Sequence, residues 1–258
     1  MRYTLLFGLL LAESICFAQQ WTFYGFFPAM SQSGSLSRKI QYNFYASATI
    51  DAVGRTVNAK EYPVTMLQYY LQPSLSYKLS PNFQIGLGYA YVKHNLFGLR
   101  VNENRLWAQT VATHDLPILG HPKLSHRLRY EERYPLNRHT DQWSYATLLR
   151  YQVGFNWLLY DPQKKKTGFY ISASNEFFFC LAGAKNSPIS SKNAFYGEDW
   201  IYGGLGYTTN RLGKLEVGYM FQDLIRNPQQ DHRHLHLLQA TWAMSFDLSE
   251  LGVWLYTP

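Results

Sequence analysis

Two stretches of this chain gather side chains that can do chemistry, and both place them at alternate positions. In 103–109, Glu103, Arg105, Trp107 and Gln109 share one parity; in 124–134, Ser125, Arg127, Arg129, Glu131 and Arg133 do. Side chains two apart on a strand point the same way, so each set is a row of guanidinium, carboxylate and amide groups on one face. Arg150 with Gln152, and then Glu176, extend the pattern along the chain. A connection through 115–123 lays the first row beside the second, bringing Glu103 and Arg105 near Glu131 and Arg133, with Arg150 close to Glu176. Opposite charges directly across strands contribute about 0.2–1 kcal/mol each relative to alanine pairs. Such a cluster suits two tasks. It can line a charged constriction or polar ligand site, or it can be a satisfied polar core that plugs a narrow barrel, where a charge is costly unless paired.

A second group is Asp231-His232-Arg233-His234-Leu235-His236, which puts His232, His234 and His236 on one face. Alternate positions on a strand can share a metal, but the sequence offers no carboxylate or cysteine cluster to complete the set. No metal and no cofactor is therefore expected. The three histidines share parity with Leu238, Ala240 and Trp242, which assigns them to the outer rim, against lipid headgroups or sugar phosphates. Cys180, inside Phe177-Phe178-Phe179-Cys180-Leu181, reads as a buried structural thiol. The chain holds no GxSxG elbow, no HExxH and no phosphate-binding GxxxxGK[ST]. Ser125 and His126 are neighbours on a strand and point to opposite faces, so they are not a dyad. His114, His121 and His139 gain no assigned partner, and no catalytic residue is assigned. The basic run Lys123–Arg129 keeps period 2 in an exported chain, which argues against nucleic acid as a partner.

Composition says what must position these rows. The 258 residues are 17% aromatic and only 16% charged, with a net charge of +7. Disordered chains need few aromatics and many charges, and coiled coils need Ala, Glu, Lys and Leu; both are excluded. After residue 20 no run approaches 18 apolar residues, which excludes a helical membrane protein. Residues 1–18 have the form of a signal peptide: Arg2, an apolar run from Leu5 to Ala12, and small residues at Cys16 and Ala18. Its removal would leave Cys180 as the one cysteine, so no intramolecular disulfide is expected.

From about residue 36 the dominant signal is period 2. Ile40, Tyr42, Phe44, Ala46, Ala48 and Ile50 alternate with polar neighbours, Tyr45 being the one apolar residue on the polar side. The same alternation runs through 69–79 and, after the turn Ser80-Pro81-Asn82, through 83–91. Further strands are predicted over 103–114, 124–134, 142–160, 168–181, 200–209, 214–225 and 233–247. That makes ten, most far longer than the usual strand of about 5–6 residues and long enough to cross a bilayer, which takes about 9–11. Connections alternate between short ones (80–82, 115–123, 161–167, 210–213) and longer ones (52–63, 92–102, 182–198, 226–232), with 135–140 a short exception. Trp143 and Tyr145 open one strand and Trp157 with Tyr160 close it, like the aromatic girdles of an outer-membrane barrel. The expected organisation is a signal peptide (1–18), a lead-in (19–35), an all-β, antiparallel transmembrane barrel (36–248) and a tail (249–258). Ten strands with both ends on the periplasmic side are expected; Trp21–Phe27 together with Leu251–Tyr256 would make twelve.

The segments Glu103-Asn104-Arg105-Leu106-Trp107-Ala108-Gln109 and His126-Arg127-Leu128-Arg129-Tyr130-Glu131-Glu132-Arg133 resemble the E-x-R-x-W-x-Q and HR-x-R-x-E-x-R segments of the domain-of-unknown-function 2490 family. Leu149–Gln152, Ser174–Phe178, Gly206-Tyr207 and Val217-Gly218-Tyr219 resemble its later strands, so the likeness spans roughly 20–247. It implies an outer-membrane β-barrel of gram-negative envelopes with no catalytic residues to carry over. The leading functional expectation is a structural or narrow-channel, porin-like barrel with an Arg/Glu-lined interior. Its expected partners are outer-membrane lipids, lipopolysaccharide and the barrel-assembly machinery. A lipid- or envelope-modifying enzyme and a soluble, lipocalin-like periplasmic binding barrel are the alternatives.

Overall fold

Period-2 alternation leaves each segment one apolar and one polar face, and a sheet closed on itself separates the two completely. The computed structural model describes residues 21–57, 60–95, 100–117, 122–184, 195–225 and 232–246. The strands are β1 (Trp21–Ser35), β2 (Ile40–Asp51), the short β3 (Arg55–Val57) and β4 (Lys60–Tyr62), β5 (Thr65–Ser80), β6 (Phe83–His94) and β7 (Val101–Asp115). They continue as β8 (Lys123–Asn137), the two-residue β9 (Gln142–Trp143), β10 (Ala146–Leu158), β11 (Gly168–Ala182), β12 (Tyr196–Thr208), β13 (Lys214–Ile225) and β14 (His232–Ser245). No α-helix occurs among the described residues.

Eleven of these strands form a closed ring, β1-β2-β5-β6-β7-β8-β10-β11-β12-β13-β14, in which β8 pairs with β10 and β14 with β1. β9 lies on the end of β8, and β3 with β4 forms a separate hairpin. The expected all-β barrel is thus present, closed by eleven wall strands rather than ten. The addition is β1, whose residues were expected as a lead-in. An open edge would leave a row of unpaired N–H and C=O groups; β1 removes it by pairing antiparallel with β2 and parallel with β14. All other wall pairings are antiparallel. The segment 142–160 divides into β9 and β10, with Asp141 at a positive φ of 53° where the chain turns. Gly25 sits so close to β2 that a Cβ there would lie 1.8 Å from the Ile50 carbonyl oxygen, so this crossing point admits glycine alone. Residues 1–18, the tail 249–258 with Leu251–Tyr256, and His121 lie outside the described residues.

An odd count sets the ends apart. The connections 36–39, 81–82, 116–122, 159–167 and 209–213 lie at one end, here the short-turn end, and the remaining, mostly longer ones at the other. β1 starts at the long-loop end and β14 finishes at the short-turn end. The expectation of both ends on one side followed from ten strands and is replaced by this arrangement.

The parities separate as the sequence predicts. Phe44, Leu71, Leu75, Leu87, Leu106, Leu128, Leu205, Val217 and Leu238 stand exposed on the outer face. Tyr45, the apolar residue on the polar parity, faces the lumen and meets the Tyr70 ring edge-on at 5.9 Å.

Candidate functional site

The hairpin of β7 and β8 places Arg105 directly opposite Arg133, and the β8–β10 pairing places Arg129 opposite Arg150. Like charges in these positions repel. The carboxylates two residues away resolve the conflict. Glu131 accepts from Arg133 Nε and Nη2 at 2.9 and 2.7 Å and from Arg150 Nη1 at 2.6 Å, with Arg129 and Arg105 at 3.7 and 3.8 Å. Four guanidiniums therefore surround one carboxylate. Glu103 accepts from Arg105 Nε at 2.8 Å and from His94 Nε2 at 2.7 Å. Glu176 accepts from Arg150 Nε at 2.8 Å and Arg127 Nη2 at 2.6 Å. The eight residues picked from sequence parity thus form one connected network, and Glu103, Glu131 and Arg133 within it are wholly buried. Charge-assisted bonds of this kind are roughly twice as strong as neutral ones, and without them these charges could not stay inside.

Arg129 is held differently. Its closest acceptors are two amides: Gln109 beside it on β7, at 3.0 and 2.7 Å, and Gln72 across the lumen on β5, at 2.9 Å. Tyr70 donates to the same Gln72 oxygen at 2.6 Å. The guanidinium lies 4.0 Å from the centre of the Trp107 ring, and that of Arg150 lies 4.3 Å from Phe178, both at cation–π distance.

The opposite wall is filled by apolar side chains. Phe23, Phe27, Leu67, Met220, Leu224, Leu235 and Leu237 cluster on the lumen side of β1, β5, β13 and β14. Toward the long-loop end, every wall strand now contributes a lumen-side residue no more than 3% exposed: Phe23, Asp51, Leu67, Val92, Glu103, Glu131, Leu148, Phe178, Glu198, Gln222 and Leu235. Such burial leaves no water-wide passage beside them among the described residues. Between this layer and the short-turn end is a chamber of about 530 Å³. Arg127, Arg129 and Arg150 line its inner part, and Gln41, Asn43, Ser76 and Gln84 line it nearer the turns. The five guanidiniums of the network against its three carboxylates leave two positive charges, five minus three, and Arg127 Nε has no partner among the described residues.

His232, His234 and His236 face outward at the long-loop end, as their parity requires, but His236 stands apart from the other two. His236 bonds Tyr219 and stacks on Tyr24 at 5.1 Å. His232 Nδ1 lies 2.8 and 2.9 Å from the two Asp223 oxygens, and His234 Nε2 lies 3.4 Å from one of them. The sequence reading found no carboxylate for this group; β13 supplies one, because its register sets Asp223 directly opposite His234. Ser125 donates to the Gly154 carbonyl, while His126 bonds the Tyr151 hydroxyl and packs against His114. His139 is exposed in the β8–β9 turn, and Cys180 is buried.

Three lumen residues escaped the sequence reading. His94 lies beyond Tyr91, where the sequence alternation predicts this strand to end, yet Ala90, Val92 and His94 continue the lumen parity to the end of β6. Gln72 and Tyr70 carried no signal, since their partners lie across the barrel. The family model described as protein of unknown function (DUF2490) matches residues 19–233. No curated protein matches the chain at a significant level.

Proposed function

The chain belongs to the DUF2490 family, whose function is unknown, and from its own residues we propose that it is an outer-membrane β-barrel with a structural, non-conducting role. The observation that carries this reading is the closed layer across the lumen, ionic on one side and mainly apolar on the other. A narrow channel needs a continuous wet path, and full burial of Glu103, Glu131, His94 and Arg133 argues against one. Residence in the outer membrane is supported by the outward apolar face, where large side chains such as Leu71, Leu87, Leu106, Leu205 and Val217 stand exposed strand after strand, a pattern soluble monomers rarely show. Wall strands of 12 to 16 residues exceed the about 9–11 a tilted strand needs to span. In this reading the chain is exported, inserted by the barrel-assembly machinery and surrounded by lipid and lipopolysaccharide. With long loops outward, as in such barrels, the chamber opens to the periplasm. The envelope-modifying enzyme is disfavoured because Ser125 and His126 face opposite ways, and the soluble binding barrel because its apolar face would point inward.

The test is single-channel conductance of the refolded protein in a planar bilayer, with Arg129→Ala beside it. Silence from wild type, with the folded barrel still giving its heat-dependent gel shift, is expected. Resolved open steps whose size or ion selectivity changes in Arg129→Ala would replace the closed reading with that of a pore.

A further inference from the structure

We infer that Asp223, His232 and His234 form a binding site for a divalent transition-metal ion of the zinc class on the outer face of the β13–β14 hairpin. All three residues share the outward parity. Asp223 pairs directly with His234, and His232, opposite Ile225, is one step along the same face. The register therefore delivers one carboxylate and two imidazoles to a single spot, with no loop needed to assemble them.

The spacing fits an ion. Metal–ligand bonds to imidazole nitrogen and carboxylate oxygen are about 2.0–2.2 Å, so two ligands at a tetrahedral angle stand about 3.3 Å apart. Here the His232–Asp223 and His234–Asp223 separations are 2.8 and 3.4 Å, and one ligand atom from each residue lies within 4.8 Å of the others. The side chains are between 20% and 34% exposed, open enough to admit an ion and shielded enough to hold it. The edge of the Phe221 ring against His234, at 5.2 Å, limits where that imidazole can swing. Imidazole nitrogens with one carboxylate suit zinc, copper, iron or nickel better than calcium or magnesium. Three protein ligands leave a fourth position for water or for an anionic oxygen from the surroundings.

His236 supplies an internal control. It lies on the same face of the same strand, yet its ring is committed to Tyr219 and Tyr24. Mere histidine density would recruit it; a geometric site would not.

The experiment is titration of the tag-free, refolded full chain with Zn²⁺, followed by calorimetry, and with Co²⁺, followed by its visible absorption. One Zn²⁺ per chain is expected at micromolar affinity or tighter, with a saturable Co²⁺ band. Asp223→Asn and His234→Gln should each weaken binding at least tenfold, while His236→Gln changes it less than twofold. Each variant is checked for a heat-dependent gel shift, and since all three positions face outward, folding is expected to survive. No saturable binding by folded wild type, or equal binding by Asp223→Asn, would overturn the assignment. So would loss in His236→Gln matching that in His234→Gln.

Discussion

Replacing Glu131 with glutamine tests whether the lumen cluster is one unit. The carboxylate is wholly buried and accepts three close bonds from two guanidiniums. Glutamine keeps the shape but offers one neutral acceptor and turns an NH₂ toward groups that can only donate. Arg150 retains Glu176 at 2.8 Å, but Arg133 retains only Glu103 at 3.6 Å, so most of the cost falls on Arg133. Removing one partner of a buried pair costs about 3–5 kcal/mol, because a charge is left uncompensated. That is a large part of a total stability on the order of 5–15 kcal/mol. The assay is urea unfolding of the protein refolded into lipid vesicles, read by tryptophan fluorescence. Glu131→Gln should lose about 3–5 kcal/mol. Combining it with Arg133→Gln should recover about 1–3 kcal/mol of the summed single losses, as residues in one network do. Lys164→Ala, at an exposed ion pair with Asp161, should stay within about 0.5 kcal/mol of wild type. A loss below about 1 kcal/mol for Glu131→Gln, or strict additivity with Arg133→Gln, would refute a connected ionic layer.

Trp107→Ala removes a side chain only 4% exposed, together with the ring that seats the Arg129 guanidinium. A loss of about 3–5 kcal/mol in the same assay is expected. Cys180 is buried with its thiol directed at the Thr147 carbonyl, so maleimide labelling of the folded barrel should be slow and become fast in urea.

The face on which a residue lies was legible, because a strand's period of two carries it without knowledge of the fold. Glu103, Arg105, Glu131, Arg133, Arg150 and Glu176 were grouped this way, and the 115–123 hairpin fixed which rows touch. What could not be read depends on the closed ring. The approach of Gln72 to Arg129 depends on the barrel's width, which no local pattern encodes. β1 was hidden because Pro28, Ser31, Ser33, Gly34 and Ser35 dilute its alternation, and one of the two edges it pairs with, β14, is distant in sequence. Asp223 is an intermediate case. It breaks the outward apolar row of Val217, Tyr219 and Phe221, and counting back from His234 across 226–231 would have paired the two. The apolar half of the lumen was obscured because Leu235 and Leu237 alternate with histidines and Leu238, leaving both faces of β14 partly apolar.

The parallel seam gives the barrel a direction and an order of assembly. Each hairpin can zip as soon as its two strands exist, but Trp21 meets Arg233 only once nearly the whole chain is present. Bringing such distant partners together costs the most loop entropy, so closure comes last and β1 waits for β14. Until then β1, already zipped to β2, and β14 are the exposed edges, the surfaces that a chaperone or insertase must guard. The finished wall carries its beginning and its end on opposite faces, so a peptide fused ahead of Trp21 and another fused after Ser245 would emerge on different sides of whatever this barrel divides.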